Sequence, residues 1–361
     1  MPNPSSPLES TRVEAINAEP ISAEAINAEP PPMDGLALVT GGCGFIGSHI
    51  ATMILDAGGR VRVLDNLSTG FEQNLDHLRS RKDVGDRLEW VRGDAADPAV
   101  CRDAVRDVQY VFHQSAMASV PRSIREMPLC HAWCTTSTVN LLDAAATSGV
   151  RRMVLASTSA IYGNSAHVSK RESDPPMPMS PYASSKLAAE AFMHSVPQLF
   201  DIETVSLRYF NVFGPRQDPA SEYSAVIPRF VSMILAGRQP VIYGDGHQSR
   251  DFVYVGDVAR ANLIAATTPI DAALLGDAPA VFNIARGGSV TLLELLDTLG
   301  DLLGRSIDPI FEPARAGDVR DSMADITRAR NVLGFEPAVD IRDGLRQSIA
   351  YYRSVAEAAA K

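Results

Sequence analysis

The sequence predicts an α/β fold: a doubly wound parallel sheet with helices on both faces, and a smaller C-terminal α/β lobe beside it. Three features carry that prediction. Apolar, strand-like runs recur at 36–40, 60–64, 88–92, 108–112, 152–156 and 203–208, with helical patterns between several of them. A glycine triplet stands where the first run gives way to a helical pattern. Beyond about residue 210 the rhythm turns irregular and rich in proline and glycine, with short strands and helices such as 291–303. The expected organisation is a tail over 1–34, a sheet domain over 35–208 to which the helix after 255 returns, and a second lobe over 209–361.

With 361 residues, 45% hydrophobic and 21% charged, the chain has the makeup of a soluble enzyme of roughly two domains. A net charge of −10 argues against a nucleic-acid partner, because a phosphate-tracking surface needs excess Lys and Arg. No apolar run approaches the ~18 residues of a membrane span. Cys43, Cys101, Cys130 and Cys134 show neither metal-ligand nor disulfide-framework spacing, and the histidines are scattered, so no metal site is expected. Reduced thiols in a cytoplasm are the expectation. The segment 1–34 contains EAINAEP twice, at 14–20 and 24–30, and two copies cannot build a solenoid. Acidic and with a single arginine, it reads as a disordered tail, neither a signal nor a transit peptide.

The first strand runs into TGGCGFIGSHI, with Gly41, Gly44 and Gly47 at three-residue spacing. A turn that tight needs residues without Cβ, and the helix N-terminus that follows offers unpaired N–H groups to a pyrophosphate. Glycine triplets are common by chance; the order strand, glycines, helix makes this one a dinucleotide fingerprint. The second strand ends at Asp65, where a carboxylate suits the adenosine ribose diol and repels a 2′-phosphate, favouring NAD over NADP. Arg60 and Arg62 in the same strand are the counter-signal, and a strand-end turn former is the plain alternative for Asp65. Asp94, in GDAAD after the third strand, stands where an adenine amino group could be read.

Residues 156–163 read ASTSAIYG, a hydroxyl-rich stretch with no acid in it, and PYASSK follows about two dozen residues later. Tyr182 and Lys186, at i and i+4, share a helix face. A phenol titrates near ~10 in isolation, and a neighbouring ammonium and the positive nicotinamide ring are expected to bring it down toward a useful base. Such a pair is usually a solvated helix face; here it follows a dinucleotide fingerprint and a hydroxyl strand.

TGGCGFIGSH, DNLSTG, HQSAMASVPRS, STSAIYG, PYASSK, RYFNVFGPRQDP, VIYGDGHQSRDFVYVGDVA and AGDVRDSMADITRA occur in that order from residue 35 to about 345. In these motifs the chain resembles the extended short-chain dehydrogenases/reductases, and within them the nucleotide-sugar epimerase/dehydratase group. The resemblance implies a Rossmann-type domain over 35–208 binding NAD and a lobe over 209–361 that mainly binds the nucleotide sugar. It implies that Thr158, Tyr182 and Lys186 are catalytic, Tyr182 taking the proton of the sugar 4-OH through Thr158. The NAD residues implied are Gly41, Gly44, Phe45, Ile46, Gly47, Asp65, Asn66, Ser68, Gly70, Asp94, Ala95, Gln114, Ser115, Tyr182, Lys186 and Tyr209. The sugar-nucleotide residues implied are Ser119, Thr158, Ser159, Asn211, Val241, Tyr243, Arg250, Arg315, Asp318 and Ser322. Arg250 and Arg315 suit two phosphates and Tyr243 a base. Val241 and Tyr243 read equally as ordinary strand residues, and Arg250 as a partner of Asp251 or Asp257. A homodimer through the helices near 131–148 and 183–199 is also implied.

Relatives that dehydrate or decarboxylate the sugar carry an acid just after the catalytic hydroxyl. Here those positions are Ser159 and Ala160. The chemistry is therefore expected to stop at oxidation of C4 and to finish by reduction, inverting C4. Ser322 matches a position where narrow glucose/galactose epimerases can carry a tyrosine, so the expected pair is UDP-GlcNAc and UDP-GalNAc. UDP-glucose/UDP-galactose and a UDP-uronic acid are the alternatives within this reaction, net dehydrogenation or decarboxylation and mere NAD binding those outside it.

Overall fold

Seven parallel strands form the central sheet: β1 (Leu36–Thr40), β2 (Arg60–Asp65), β3 (Leu88–Arg92), β4 (Val108–His113), β5 (Arg152–Thr158), β6 (Glu203–Tyr209) and β7 (Val281–Ile284). Their spatial order is β7-β6-β5-β4-β1-β2-β3. The structure is a computed structural model and describes residues 32–165, 167–219, 225–276, 278–314 and 320–359. The expected tail lies outside these up to residue 31, and so do Arg315 and Asp318.

All five residues of β1 are buried, as a strand covered on both faces requires. Consecutive side chains feed opposite layers. Val39, Val63 and Phe112 pack into one core with Ile50 and Ile54 of helix α1 (Phe45–Asp56). Leu38, Leu64 and Val111 pack into the other with Leu141 of α2 (Ser137–Ala146) and Ala189 and Met193 of α3 (Pro181–Ser195). A fourth helix, α4 (Val255–Thr267), leaves the second lobe and lies against α1, placing Val258, Ala259 and Leu263 in the first core. β7 likewise returns from late in the chain to pair with β6. That strand was absent from the sequence reading, because a four-residue run such as VFNI has no period that separates strand from loop.

The chain leaves β1 toward β3 on one side and resumes at β4 on the other, so β1 and β4 flank the switch point, where ligands bind in doubly wound sheets. A further buried cluster includes Phe230, Ile234, Phe252, Leu295, Leu299 and Leu345, with Phe45 and Ile46 of α1 packed against it. Helix Leu292–Leu303 is set by a capping box: Glu294 N–H donates to Thr291 Oγ1 at 3.2 Å, and Thr291 N–H donates to Glu294 Oε2 at 2.8 Å. Gly304, at φ 66°, ends it.

His113, at the end of β4, is fully buried among hydroxyls, with Thr40 Oγ1 2.8 Å from Nδ1 and Thr138 Oγ1 3.1 Å from Nε2. Burial, and then the charge of Lys186, hold it well below the ordinary value of 6.5. A histidine depressed in this way costs nothing while both folded and unfolded chains are neutral. As pH falls below about 6.5 only the unfolded chain takes the proton, so stability is lost by up to ~1.4 kcal/mol per pH unit. His113→Asn removes that term. We predict that wild type is the more stable at pH 7 and that the difference in Tm from His113→Asn shrinks between pH 6.5 and 5. A constant difference would mean that His113 is not held neutral.

Candidate active site

At the switch point Gly41 adopts φ 65°, and a Cβ there would stand 2.8 Å from Ser115 N. At Gly47 a Cβ would lie 2.3 Å from the carbonyl oxygen of Gly41. The backbone is therefore packed on itself, and no side chain stands between it and the open space above. Helix α1 starts at Gly44 with no side-chain cap and no acid in its first turn, so its first N–H groups face a cavity of about 640 Å³. This is the surface a pyrophosphate requires, and the residues present fit NAD. Every position expected to hold the cofactor lines this cavity: Gly41, Gly44 to Gly47, Asp65, Asn66, Ser68, Gly70, Asp94, Ala95, Gln114, Ser115, Tyr182, Lys186 and Tyr209.

Asp65 is buried, and two backbone N–H groups aim its carboxylate, Cys43 to Oδ2 at 2.9 Å and Leu67 to Oδ1 at 2.8 Å. Burial raises its pKa, with those two bonds working against the rise. Arg62 is committed elsewhere, to Glu89 at 2.7 Å and to the carbonyls of Ala104 and Arg106, and Arg60 also pairs with Glu89. Asp94 Oδ2 accepts from Asn66 Nδ2 at 3.0 Å and from Trp133 Nε1 at 3.1 Å. Trp133 was not anticipated. It lines the cavity from a π turn, Ala132–Thr136, inserted before α2, and the Arg122 guanidinium lies 5.2 Å from its ring. Its one signal in the sequence was being one of two tryptophans.

Ser180 caps α3 by accepting from Ala183 N–H at 3.2 Å, which puts Tyr182 in the first turn and Lys186 one turn on. Lys186 is 1% exposed and donates to Ala156 O at 2.8 Å. Thr158 ends β5; its Oγ1 accepts from Ala160 N–H at 3.1 Å, and its hydroxyl lies near enough to Tyr182 to lower the phenol's pKa. Lys186 and the positive nicotinamide ring together were expected to lower the phenol. In the protein alone burial wins: desolvation and then Cys134 push Tyr182 up, while Thr158 pulls it down. Burial also lowers Lys186, offset first by Cys134 and then by Cys130 and Glu190.

Of the positions expected to hold the sugar nucleotide, Ser119 lines the cavity. Thr158, Ser159, Asn211, Val241, Tyr243, Arg250 and Ser322 are not among its lining residues. Three of them meet around Asp251. Strand Ser249–Arg250 pairs with strand Asp321–Ala324, putting Arg250 beside Ser322. Asp251 N–H donates to Ser322 O at 2.8 Å, and Asn211 N–H donates to Asp251 O at 3.1 Å. Arg250 Nη1 donates to the carbonyls of Ser249 and Arg320. The carboxylate of Asp251 accepts from the N–H groups of Arg286, Gly287 and Ala324. Val241 and Tyr243 belong to a separate strand, with Arg229 5.4 Å from the Tyr243 ring.

The glycine turn gives a direct test. Wild-type protein purified without added nucleotide is predicted to release NAD on denaturation. Gly47→Ala, still folded by circular dichroism, is predicted to release under about a tenth as much, a loss of ~1.4 kcal/mol or more in binding. Equal contents would show that the turn does not hold the pyrophosphate.

A family model described as the NAD dependent epimerase/dehydratase family matches residues 37–285. The chain is 34% identical to UDP-glucose 4-epimerase of Mycolicibacterium smegmatis, over 88% of this chain and 98% of that one. It is also 34% identical to dTDP-glucose 4,6-dehydratase of Streptomyces griseus, over 87% of this chain and 93% of that one. A solved structure of UDP-N-acetylglucosamine 4-epimerase from Methanobrevibacter ruminantium, in complex with UDP-N-acetylmuramic acid, is similar at a TM-score of 0.82 and 37% identity. That match covers 89% of this chain and 99% of the other. With its seven-stranded parallel sheet, its glycine turn and a matched span of more than half its length, the chain belongs to the NAD-dependent epimerase/dehydratase family.

Proposed function

We propose that this NAD-dependent UDP-sugar 4-epimerase interconverts UDP-GlcNAc and UDP-GalNAc, with Thr158, Tyr182 and Lys186 as its catalytic residues. The observation that carries the reaction is the placement of Tyr182 near the Thr158 hydroxyl and one helical turn from the buried Lys186. Tyr182 takes the proton of the sugar 4-OH, and Thr158 orients both oxygens. Lys186 keeps a positive charge beneath the phenol, so the phenolate forms against a fixed cation. NAD, when bound, supplies the oxidant for C4 and then the reductant that resets it, and its positive ring adds to the charge favouring the phenolate. Tyr182 holds the proton between the two halves and returns it to O4.

Similarity alone does not choose between epimerase and dehydratase, since relatives of both names match at 34% identity. The turn after Thr158 favours the epimerase. Moving the C5 proton needs an acid or base there, and Ser159–Tyr162 reads SAIY. The nearby carboxylate of Glu190 is taken up by Arg208 at 2.8 Å. A ketone formed at C4 is thus left with reduction as its exit. The N-acetylated sugar rests on Ser322, half-buried on the strand beside Arg250. A serine there leaves room at the sugar's C2 substituent and offers a hydroxyl to an amide.

Tyr182→Phe is expected to lower kcat by ~10²–10⁴-fold while NAD stays bound, because the ring still packs and no proton acceptor remains. Retention of more than half the rate would remove Tyr182 from the mechanism. Incubation with UDP-GlcNAc, UDP-glucose and UDP-glucuronic acid, with identification of the products, tests the sugar. The N-acetylated pair should turn over fastest, and Ser322→Tyr should slow it roughly 10–200-fold more than UDP-galactose. Equal slowing of both pairs would withdraw the N-acetyl assignment.

A further inference from the structure

Glu190 and Arg208 form an ion pair deep behind the catalytic hydroxyls, their side chains 6% and 7% exposed. Arg208 donates from Nε to Glu190 Oε1 at 3.0 Å and from Nη2 to Oε2 at 2.8 Å. An isolated buried pair is weak support for a fold, since an apolar replacement often serves as well. What the pair holds is more informative. Ser157 Oγ donates to Glu190 Oε1 at 2.5 Å. Arg208 Nη1 donates to Tyr162 Oη at 3.0 Å, and its guanidinium carbon lies 4.9 Å from the Tyr162 ring. Tyr162 Oη in turn donates to Asn283 Oδ1 at 2.6 Å, and Asn283 Nδ2 donates to the carbonyls of Lys170 and Asp325. Ser157 immediately precedes Thr158, and Tyr162 closes the turn Ser159–Tyr162 that Thr158 opens. One ion pair therefore grips the catalytic turn at both ends.

The same pair reaches the other catalytic groups through the helix. Tyr182, Lys186 and Glu190 stand at i, i+4 and i+8 of α3, along one face. Glu190 is thus rigidly connected to Tyr182 through the helix and to Thr158 through Ser157. We propose that the Glu190–Arg208 pair is a positioning clamp that holds the Thr158 hydroxyl in register with Tyr182 through both halves of the reaction. The proposal rests on the epimerase reading. It assigns Ser157, Tyr162, Glu190 and Arg208 as positioning residues; Ser157 borders the cavity, and the other three lie outside its lining.

The test removes one arm of the clamp at a time and leaves the ion pair in place. Ser157→Ala and Tyr162→Phe each delete one hydroxyl. Rates are normalised to bound NAD and measured on whichever UDP-sugar the wild type turns over, so a failure of the epimerase reading appears as wild-type inactivity and is separate. Each variant is expected to lower kcat about 10-fold with KM changed less than about 2-fold, the signature of lost alignment and not lost binding. Ser157→Thr, which restores a hydroxyl, is expected to recover most of kcat. Variants with lower Tm but wild-type kcat per NAD would overturn the proposal, as would Ser157→Thr that fails to rescue. Loss of folding in both single-hydroxyl variants would make the network a stability element and overturn it equally.

Discussion

A fully buried ammonium makes strong demands on its surroundings, and much of the site is arranged around it. Lys186 is 1% exposed and spends one donor on Ala156 O. Moving a charge out of water costs several kcal/mol unless its surroundings answer it. They do so in sign and in place. Cys134, Cys130 and Glu190 favour the charged form, while His113 behind it is held neutral. The phenol of Tyr182 is the remaining group on that helix face, and a proton leaving it exchanges a neutral neighbour of Lys186 for an anionic one. Burial raises Tyr182 in the resting protein. Thr158 is the group that works against that rise.

The layout of the site follows from topology. Parallel strands put all their C-terminal ends on one edge, so the glycine turn after β1, Gln114 after β4 and Thr158 at the end of β5 share a rim. Helix α3 returns across that rim with Tyr182 and Lys186. Asn283 on β7 ties the sheet to strand Ser169–Lys170 through the carbonyl of Lys170, and to the end of strand Asp321–Ala324 through that of Asp325. The sheet and these two strands are thus joined by hydrogen bonds directly behind the catalytic turn.

Much of this was legible in the residues. Strands such as β1 and β5 announced themselves because strands buried on both faces read as apolar runs, and β2 because its apolar residues alternate. The glycine turn and the Tyr182–Lys186 spacing are local, so sequence distance preserves them. The seventh strand was not legible, nor was the π turn that brings Trp133 to the cavity, since both depend on partners far along the chain. Glu190 carries no local signal of its role. Its partners Ser157 and Arg208 lie 33 and 18 residues away, and only the sheet brings them together. Asn211, Arg250 and Ser322 were grouped only by the family resemblance; the strand pairing that brings them together around Asp251 was not legible.

The reaction turns on what is missing beside Thr158. With Ser159 and Ala160 where an acid would have to stand, the proposed chemistry is confined to O4 and C4 and leaves C5 untouched. Running the wild-type reaction in D₂O and examining both epimers by mass spectrometry and NMR tests that confinement most directly. The C4 hydrogen leaves and returns as hydride without exchanging with solvent, so neither epimer should carry carbon-bound deuterium. Deuterium at C5 would contradict the assignment, because it would reveal a proton-transfer group that the turn after Thr158 does not contain.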